Sequence, residues 1–497
     1  MDTRLDHPSN DPKLPSFLHP TLAELQDDLR RAFDAYCYLR GVKDRYLPQE
    51  PAEPPDAYQS RLNRAVYGGF FRSSIEAYAG VLSRFTLNDP PDSFEQSTGN
   101  IDLEGNSLDS FLMQADSFCL RDGAVAIQVE MPPGRPANAA EEAAQGRRPY
   151  LVLRPRAKAL NWRVAITDGI ETLERVTFLE MIEVEDGDYG IKLEPRYRVI
   201  SRGQWMLLKL ERNKANDITV EMVDQGQYLG ANGQPLPVVP VVWYPSEQAS
   251  FGQGGMPLRQ VVEHSLEHFQ MRSDLAEKTH RCAMPVPVAI GRTPPAPGEA
   301  RRPLVIGPNS VVDLDQGGSF SFAEPSASSL AEQRAQIAEI EKLIARQTLG
   351  FLYGDSGGTK TATQAGLEAA QTQAGITRLG QRKASMLQSV LVIWCAFTGE
   401  QLSDDAGLQM SSTIYDKPME PQDVAQLQQL AGGVELISQQ SAIEELQRAG
   451  IIRATTSVDD ELERIRGEAP EPAEPVGLND YGMLPSESYP VPTDTAP

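Results

Sequence analysis

The stretch "ATQAGLEAAQTQAGITRLGQRKASMLQSVLVIWCAFTG" occupies residues 362–399 and has an uninterrupted helical pattern. It is rich in alanine and glutamine, contains no proline, and therefore predicts one continuous helix. Helices in globular proteins average about 11–12 residues, so this one is unusually long for a globular enzyme. Its length indicates a component of an assembly.

The segment before this helix, "FLYGDSGGTKTAT" at residues 351–363, contains two strings that are also found in enzymes. GDSGG surrounds the nucleophile of trypsin-like proteases, where Ser356 would need a histidine base and a buried aspartate. No histidine of the chain stands in the usual Ala-Ala-His setting, and helical patterns flank Ser356. A phosphate-binding loop needs glycine directly before its lysine, whereas Thr359 separates Gly358 from Lys360. We therefore interpret the segment as a glycine-serine turn. The histidines are His7, His19, His264, His268 and His280.

The string "HSLEH", His264 to His268, matches a pattern of zinc metalloproteases. Two histidines at positions i and i+4 share one face of a helix and could supply two ligands. Catalytic zinc takes three protein ligands, and no later helix offers an obvious third one. We therefore interpret the string as one face of an amphipathic helix, and we expect neither a metal nor a cofactor.

Two further helices precede the opening stretch. The first, "PLRQVVEHSLEHFQMRSDLAEKTHRC" at residues 257–282, has proline at its first position. The second runs to residue 350 from a capping box formed by Ser329 and Glu332. Short apolar strands in proline- and glycine-rich text lie between them. After the long helix, residues 421–466 predict two or three short helices.

The N-terminal half combines helices with an antiparallel sheet. Helical spacing of apolar residues predicts helices at residues 21–46, with a capping box at Thr21 and Glu24, and at residues 58–85 and 108–120. Alternating text then predicts strands, which makes the chain an α+β protein. The polar stretch at residues 132–149 predicts an exposed loop. The predicted strands are "GAVAIQVEM", "YLVLRPR", "RVTFLEMIEV", "PRYRVISRGQWMLLKL", "DITVEMV" and "VVPVVWY".

Composition limits the function. The chain has 497 residues, of which 40% are hydrophobic and 23% charged, as expected for a globular protein with more than one structural region. Its four cysteines include no CxxC pair, which favours neither a disulfide framework nor a zinc site. No signal-like N-terminus and no apolar run of ~20 residues is present, so we expect a cytosolic chain without a membrane partner. The net charge of −23 argues against gripping nucleic acid through its phosphates.

The order of these elements resembles the portal (connector) protein of tailed bacteriophages, most closely a branch in phages of cyanobacteria and other bacteria. The resemblance extends over roughly residues 20–466 and is carried by four stretches in the same order. In the stem match we single out His268, Phe269, Ser273, Asp274 and Pro285. The stretches are "GQPLPVVPVVWY" before the stem, "SLEHFQMRSDLAEKTHRCAMPVPVAIG" for the first stem helix, "TATQAGLEAAQTQAGITRLGQRKASML" after the tunnel loop, and "EPQDVAQLQQLAGGVELISQQSAIEELQRAGII" for the crown.

The resemblance implies a portal fold with an α/β wing, a two-helix stem, a small β-containing clip, a long wing helix and a helical crown. The clip of this chain is short, and the acidic, proline-rich tail is expected to be disordered. The implied regions are an N-terminal arm and helix (1–50), the wing (51–256), stem helix 1 (257–281), the clip (282–325), stem helix 2 (326–350), the tunnel loop (351–361), the long wing helix and its connection (362–417), the crown (418–467) and the tail (468–497).

The resemblance also implies a function that is not enzymatic. Portal proteins form a twelve-subunit ring at one capsid vertex, through which double-stranded DNA is packaged and ejected. The implied partners are other copies of the chain, the major capsid protein, the terminase packaging motor and the head-tail adaptor. The implied location is the virion, and the host cytoplasm during assembly. An acidic channel would let DNA slide by weak contact. The tunnel-loop residues expected near DNA are Tyr353, Asp355, Ser356, Gly357, Gly358, Thr359 and Lys360.

Two other classes of protein are alternatives to a portal. A minor capsid or baseplate protein would share the virion location without forming a DNA-wide ring. A soluble α+β hydrolase would need a nucleophile and a base within reach of each other. No serine or cysteine of the sequence is paired with a histidine in a recognisable motif, which disfavours the hydrolase.

Overall fold

The chain divides into two compact units, Met1–Ser412 and Thr413–Pro497. Among the described residues of the second unit, the main element is one helix. A computed structural model describes residues 11–132, 147–167, 169–212, 217–282, 286–291, 298, 314, 316–323, 328–348, 362–410, 438–448, 458 and 461–464.

In chain order, most helices of the first unit precede strand β2 or follow strand β9. Among the described residues, no helix is both long and apolar enough to cross a membrane. The helices are α1 (Pro20–Tyr36), α2 (Lys43–Tyr46), α3 (Pro55–Arg64), α4 (Phe70–Leu82), α5 (Asp92–Glu95), α6 (Leu108–Asp122), α7 (Arg259–Cys282), α8 (Ser328–Gln347), α9 (Ala362–Thr398) and, in the second unit, α10 (Gln439–Arg448).

The strands form two principal sheets, both antiparallel, and the chain is α+β as predicted. Strands β3, β2 and β9 form a three-stranded sheet, and β4 to β8 form a five-stranded meander. Two separate pairs, β1 with β12 and β10 with β11, complete the described sheets. The strands are β1 (Phe85–Asn88), β2 (Ala124–Glu130), β3 (Tyr150–Pro155), β4 (Ala159–Thr167), β5 (Ile170–Asp186), β6 (Gly190–Ser201), β7 (Gln204–Arg212), β8 (Ile218–Gln227), β9 (Val241–Pro245), β10 (Val286–Ile290), β11 (Ser319–Ala323) and β12 (Gly407–Met410).

The main core lies between the three-stranded sheet and two helices. All seven residues of β2 are buried, because helix α6 and the second half of α9 cover the sheet. Helix α9 contributes four completely buried residues to this core: Leu387, Val390, Leu391 and Trp394. The long helix predicted from residues 362–399 is therefore confirmed, and its C-terminal half is a core element of the first unit.

The predicted helix at residues 21–46 is interrupted between Tyr36 and Lys43. Helix α1 ends at Tyr36, and Tyr38 and Leu39 adopt left-handed φ values of 58° and 53°. Leu39 is fully buried there, so burial of its side chain offsets the backbone cost. The N-terminus also differs from the predicted capping box, because the side chain of His19 accepts the hydrogen bond from the Thr21 amide.

The predicted helix at residues 58–85 is two helices and the start of a strand. Gly69 has a φ of 69° and lies against the ring of Tyr38. A Cβ built on Gly69 would lie 2.6 Å from that ring. Only glycine fits this turn, which separates α3 from α4. Helix α4 ends at Leu82, and Phe85 begins a strand that pairs with residues far along the chain. Strand β4 was not predicted, although Leu160, Trp162, Val164 and Ile166 alternate with polar or small residues along it.

Candidate functional site

Helices α7 and α8 form an antiparallel pair, which is the candidate functional site. Gln347 Nε2 donates to Gln260 Oε1 at 2.8 Å, and His268 Nε2 lies 3.0 Å from Glu341 Oε1. The partner of the earlier residue on α7 is the later residue on α8, so the two helices run in opposite directions. We call this pair the arm.

Helix α8 is buried along a single stripe. Ile337, Ile340 and Ile344 are buried at spacings of three and four residues, the period of one helix face. Helix α7 is its main packing partner among the described elements. The rest of α8 faces solvent and carries charges of both signs. These exposed charged residues are Glu332, Arg334, Glu339, Glu341, Lys342 and Arg346.

Helix α7 lies between α8 and the first unit's N-terminal helices. Arg259 pairs with Asp28 at 3.1 Å, and Glu263 accepts from Arg31 at 3.1 Å. Further along α7, Gln270 donates to a backbone carbonyl at the end of α2 at 2.8 Å, and an ion pair joins α7 to α3. Polar contacts therefore attach α7 to the rest of the unit along most of its length.

The stem residues singled out in the sequence contribute mainly to this packing. His268, Phe269 and Ser273 are buried, with His268 meeting the edge of the Phe70 ring at 5.0 Å. Asp274 is exposed, and partial burial of its carboxyl raises its pKa although Arg61 acts in the opposite direction. Pro285 lies outside the described residues.

The two histidines of the HSLEH string have different surroundings. His268 contacts Glu341 across the helix pair, whereas His264 Nδ1 lies 3.5 Å from Glu267 Oε2 on its own helix. Within the described ranges, no three histidine, cysteine or acidic side chains converge on a possible metal position. The histidine on the buried face of α7 thus takes part in the contact between the two helices.

A two-stranded ribbon follows α7 and precedes α8. Strands β10 and β11 pair from Val286 with Ala323 to Ile290 with Ser319. Ile290 and Phe322 are exposed on it. This ribbon lies in the region 282–325 that the portal resemblance assigns to the clip.

The tunnel-loop residues of the sequence prediction are not part of the described structure. Tyr353, Asp355, Ser356, Gly357, Gly358, Thr359 and Lys360 all lie outside the described residues. The structure describes the helices on both sides, α8 to Gln347 and α9 from Ala362.

Sequence reasoning missed a buried ion pair that ties α9 to the rest of the first unit. Lys383 Nζ lies 2.7 Å from Asp116 Oδ2, and both side chains are completely buried. Lys383 also donates to the Leu82 carbonyl at 2.8 Å, and Tyr244 donates to the other Asp116 oxygen at 2.8 Å. The sequence did contain a signal for this pair. Asp116 occupies a position on the apolar face of α6, and Lys383 occupies one on the apolar face of α9.

Comparison with known proteins gives a family match and several structural likenesses. No curated protein matches the chain. The chain is similar to a chain in the structure of the neck of a native gene transfer agent (GTA) particle computed with C12 symmetry, at 12% identity and a TM-score of 0.39, covering 80% of this chain and 95% of that one. A chain of the native GTA virion gives 12% identity, a TM-score of 0.37, and coverage of 85% and 99%. A chain of the neck of the empty GTA particle computed with C6 symmetry gives 12% identity, a TM-score of 0.36, and coverage of 81% and 96%.

The family model that matches is described as a domain of unknown function (DUF4055), and it matches residues 257–398. That range begins two residues before helix α7 and ends with helix α9. The match thus covers the arm and the long helix, which together with the residues between them make up less than a third of the chain.

Proposed function

We propose that the chain is a phage portal protein, a structural protein that forms a ring at one capsid vertex and gives passage to double-stranded DNA during packaging and ejection. The observation that carries the proposal is the arm. Two antiparallel helices with a strand ribbon between them are followed by a 37-residue helix, in the stretch where the sequence resembles the portal stem, clip and wing.

The arm has the surface expected of a helix pair that meets other copies. Helix α8 is 20 residues long and is buried only along its isoleucine stripe. Its outer face carries both acidic and basic residues, which can pair with the opposite charges of a neighbouring helix. Most helical stability in proteins comes from packing, so contact with a second copy would stabilise α8 further.

The charge of the chain is compatible with a DNA channel. A net charge of −23 on each copy gives the ring a strongly negative field. Phosphates would be held weakly by such a wall, and DNA could move through the ring. The major capsid protein, the terminase motor and the head-tail adaptor are the partners that this function requires.

Site-specific cross-linking tests the ring and the role of the arm together. We suggest cysteines at Arg272 on α7 and Glu339 on α8, both exposed, in a background with Cys37 and Cys282 replaced by serine. If α8 of one copy meets α7 of the next, a thiol cross-linker should give a ladder of covalent oligomers. Electron microscopy of the same sample should show rings with a hole wide enough for duplex DNA.

The matched controls are the two single-cysteine variants and one further pair. That pair combines Arg272→Cys with Asp188→Cys in the β5–β6 turn. A purified protein that stays monomeric at every protein and salt concentration would contradict the portal proposal. Incorporation into virions without rings would favour a minor capsid or baseplate protein instead. Rings that form without the α7–α8 ladder would retain the portal function and remove the arm from the subunit contact.

A further inference from the structure

A cavity of about 1000 Å³ opens in the first unit, away from the arm. It lies beside β2 and β3, between the ends of β6 to β8 and the C-terminal end of α9. Among the described residues its lining contains four arginines and two carboxylates, in a chain with a net charge of −23. The cavity is therefore a locally basic site on an acidic protein. These six residues are Arg147, Arg148, Arg154, Arg198, Glu130 and Asp224.

Two of these arginines share the carboxylate of Glu180, which does not itself line the cavity. Arg154 and Arg198 approach the same oxygen of Glu180, at 2.6 Å and 2.5 Å. Arg154 also donates through Nε to Gln128 Oε1 at 2.9 Å. Arg198 reaches Glu180 through Nε, and among the described residues its two terminal nitrogens have no hydrogen-bond partner. One guanidinium thus presents two donors to the cavity.

The orientation of Arg198 is fixed by an aromatic ring. Its guanidinium carbon lies 4.8 Å from the centre of the Trp205 ring. Trp205 is held in turn by Gly226 on the neighbouring strand, where a Cβ would lie 2.7 Å from the indole nitrogen. Stacking of this kind reduces the freedom of the arginine side chain and preorganises its donors.

Of the two lining carboxylates, Glu130 opposes an anion only weakly. Glu130 is buried, and its carboxylate accepts a hydrogen bond from Tyr228 at 3.1 Å. Burial raises the pKa of Glu130, and this effect outweighs the opposing influence of Arg198 and Arg154. A larger fraction of Glu130 is consequently neutral than for an exposed glutamate at the same pH.

We propose that this cavity binds a carboxylate or phosphate anion, held by the terminal nitrogens of Arg198 with Arg154 beside it and Arg148 at the rim. Planar guanidinium groups bind both anions through paired hydrogen bonds. The anion has two possible sources, a small molecule from solution or an acidic side chain of another copy. Only the second source depends on the proposed assembly.

Calorimetric titration of the purified full-length protein with citrate and with inorganic phosphate tests the site. Arg198→Gln should weaken binding by about tenfold or more, since a hydrogen bond between charged groups is lost. Asp224→Asn should act in the opposite direction and tighten binding by about threefold, because it removes a negative charge from the lining. Arg163→Gln makes the same charge change as Arg198→Gln on an exposed arginine of β4, and should leave binding unchanged.

The two sources give different results. Binding of citrate or phosphate that follows this order of variants supports an anion from solution. If neither anion binds, but Arg198→Gln weakens and Asp224→Asn strengthens association between copies, the anion is an acidic side chain of a neighbour. If the two variants change neither anion binding nor association between copies, the proposal is wrong. It is also wrong if Arg198→Gln and Asp224→Asn shift the same quantity in the same direction. Arg198→Lys, which keeps the charge without the paired donors, replaces Arg198→Gln if the latter does not fold.

Discussion

At the scale of single residues, buried charges connect the parts of the first unit. Lys383 and Asp116 are both completely buried and join the long helix to α6, while Tyr244 and the Leu82 carbonyl satisfy the remaining hydrogen bonds. Removing one member of such a pair strands the other charge and costs about 3–5 kcal/mol. The pair therefore requires α9 to adopt one position against α6.

Two glutamates near Arg154 and Arg198 have pKa shifts of opposite sign. Burial raises the pKa of Glu130. Burial also acts to raise the pKa of Glu180, but Arg154 and Arg198 outweigh it and lower that pKa. The two carboxyl groups should consequently make opposite contributions to the pH dependence of stability.

We predict that Glu130→Gln stabilises the protein at neutral pH relative to the wild type, and that Glu180→Gln destabilises it. The folded state holds the proton of Glu130 more tightly than the unfolded state, so wild-type stability falls as pH rises from the ordinary value of 4.5 to the raised pKa. For Glu180 the stabilising contribution is present above 4.5 and is lost as pH falls through the lowered pKa. Both differences should therefore shrink towards acid pH.

Urea unfolding of the wild type and both variants at several pH values measures these differences. The matched control is Glu183→Gln, at an exposed position on β5, the strand of Glu180. It should show neither trend. If the free energies of unfolding of Glu130→Gln and Glu180→Gln, relative to the wild type, changed with pH in the same direction, the assignment of opposite pKa shifts would be wrong.

At the scale of elements, the arm depends on one stripe of isoleucines. Because α8 packs mainly on α7, its stability should be separable from that of the main core. Helix α9, by contrast, is part of that core in its second half. The two long helices that flank the undescribed segment 349–361 thus differ in how they are held.

We predict that Ile340→Ala loosens the arm without unfolding the rest of the unit. Deleting a buried isoleucine to alanine costs about 2–5 kcal/mol, a large fraction of what one helix-helix contact can contribute. Hydrogen exchange should accelerate across Ser328–Gln347 and in the facing part of α7, and remain slow in the second half of α9.

Lys342→Ala changes an exposed position of the same helix and should leave the exchange pattern unaltered. Equal acceleration in α9 after Ile340→Ala would show that the arm and the core unfold as one unit.

At the scale of the whole molecule, net charge opposes assembly. Copies that each carry −23 repel one another at a distance, while the contacts that would hold a ring act at short range. Salt shortens the range of repulsion, from a Debye length of about 30 Å at about 0.01 M to about 8 Å at about 0.15 M. Assembly should therefore depend on ionic strength.

We predict that the fraction of protein in rings rises as sodium chloride is increased from about 0.01 M to about 0.15 M. Light scattering at constant protein concentration measures this fraction, and an equal concentration of glycine, a zwitterion, controls for effects other than screening. Dissociation of rings over this range would mean that ion pairs between copies, and not apolar contact, dominate the interface.

The α+β class, the long helix and the two helices of the arm could be predicted from local sequence, because each rests on a hydrophobic period that the chain carries within one segment. Long-range pairing decided the rest. The end of α1 at Tyr36 follows from burial of Leu39, and strand β1 follows from its pairing with β12, far along the chain. The Lys383–Asp116 pair and the basic cavity likewise bring together residues from distant segments. Only the tertiary structure could place them, because the free energy that fixes such residues comes from contacts made after the chain has folded.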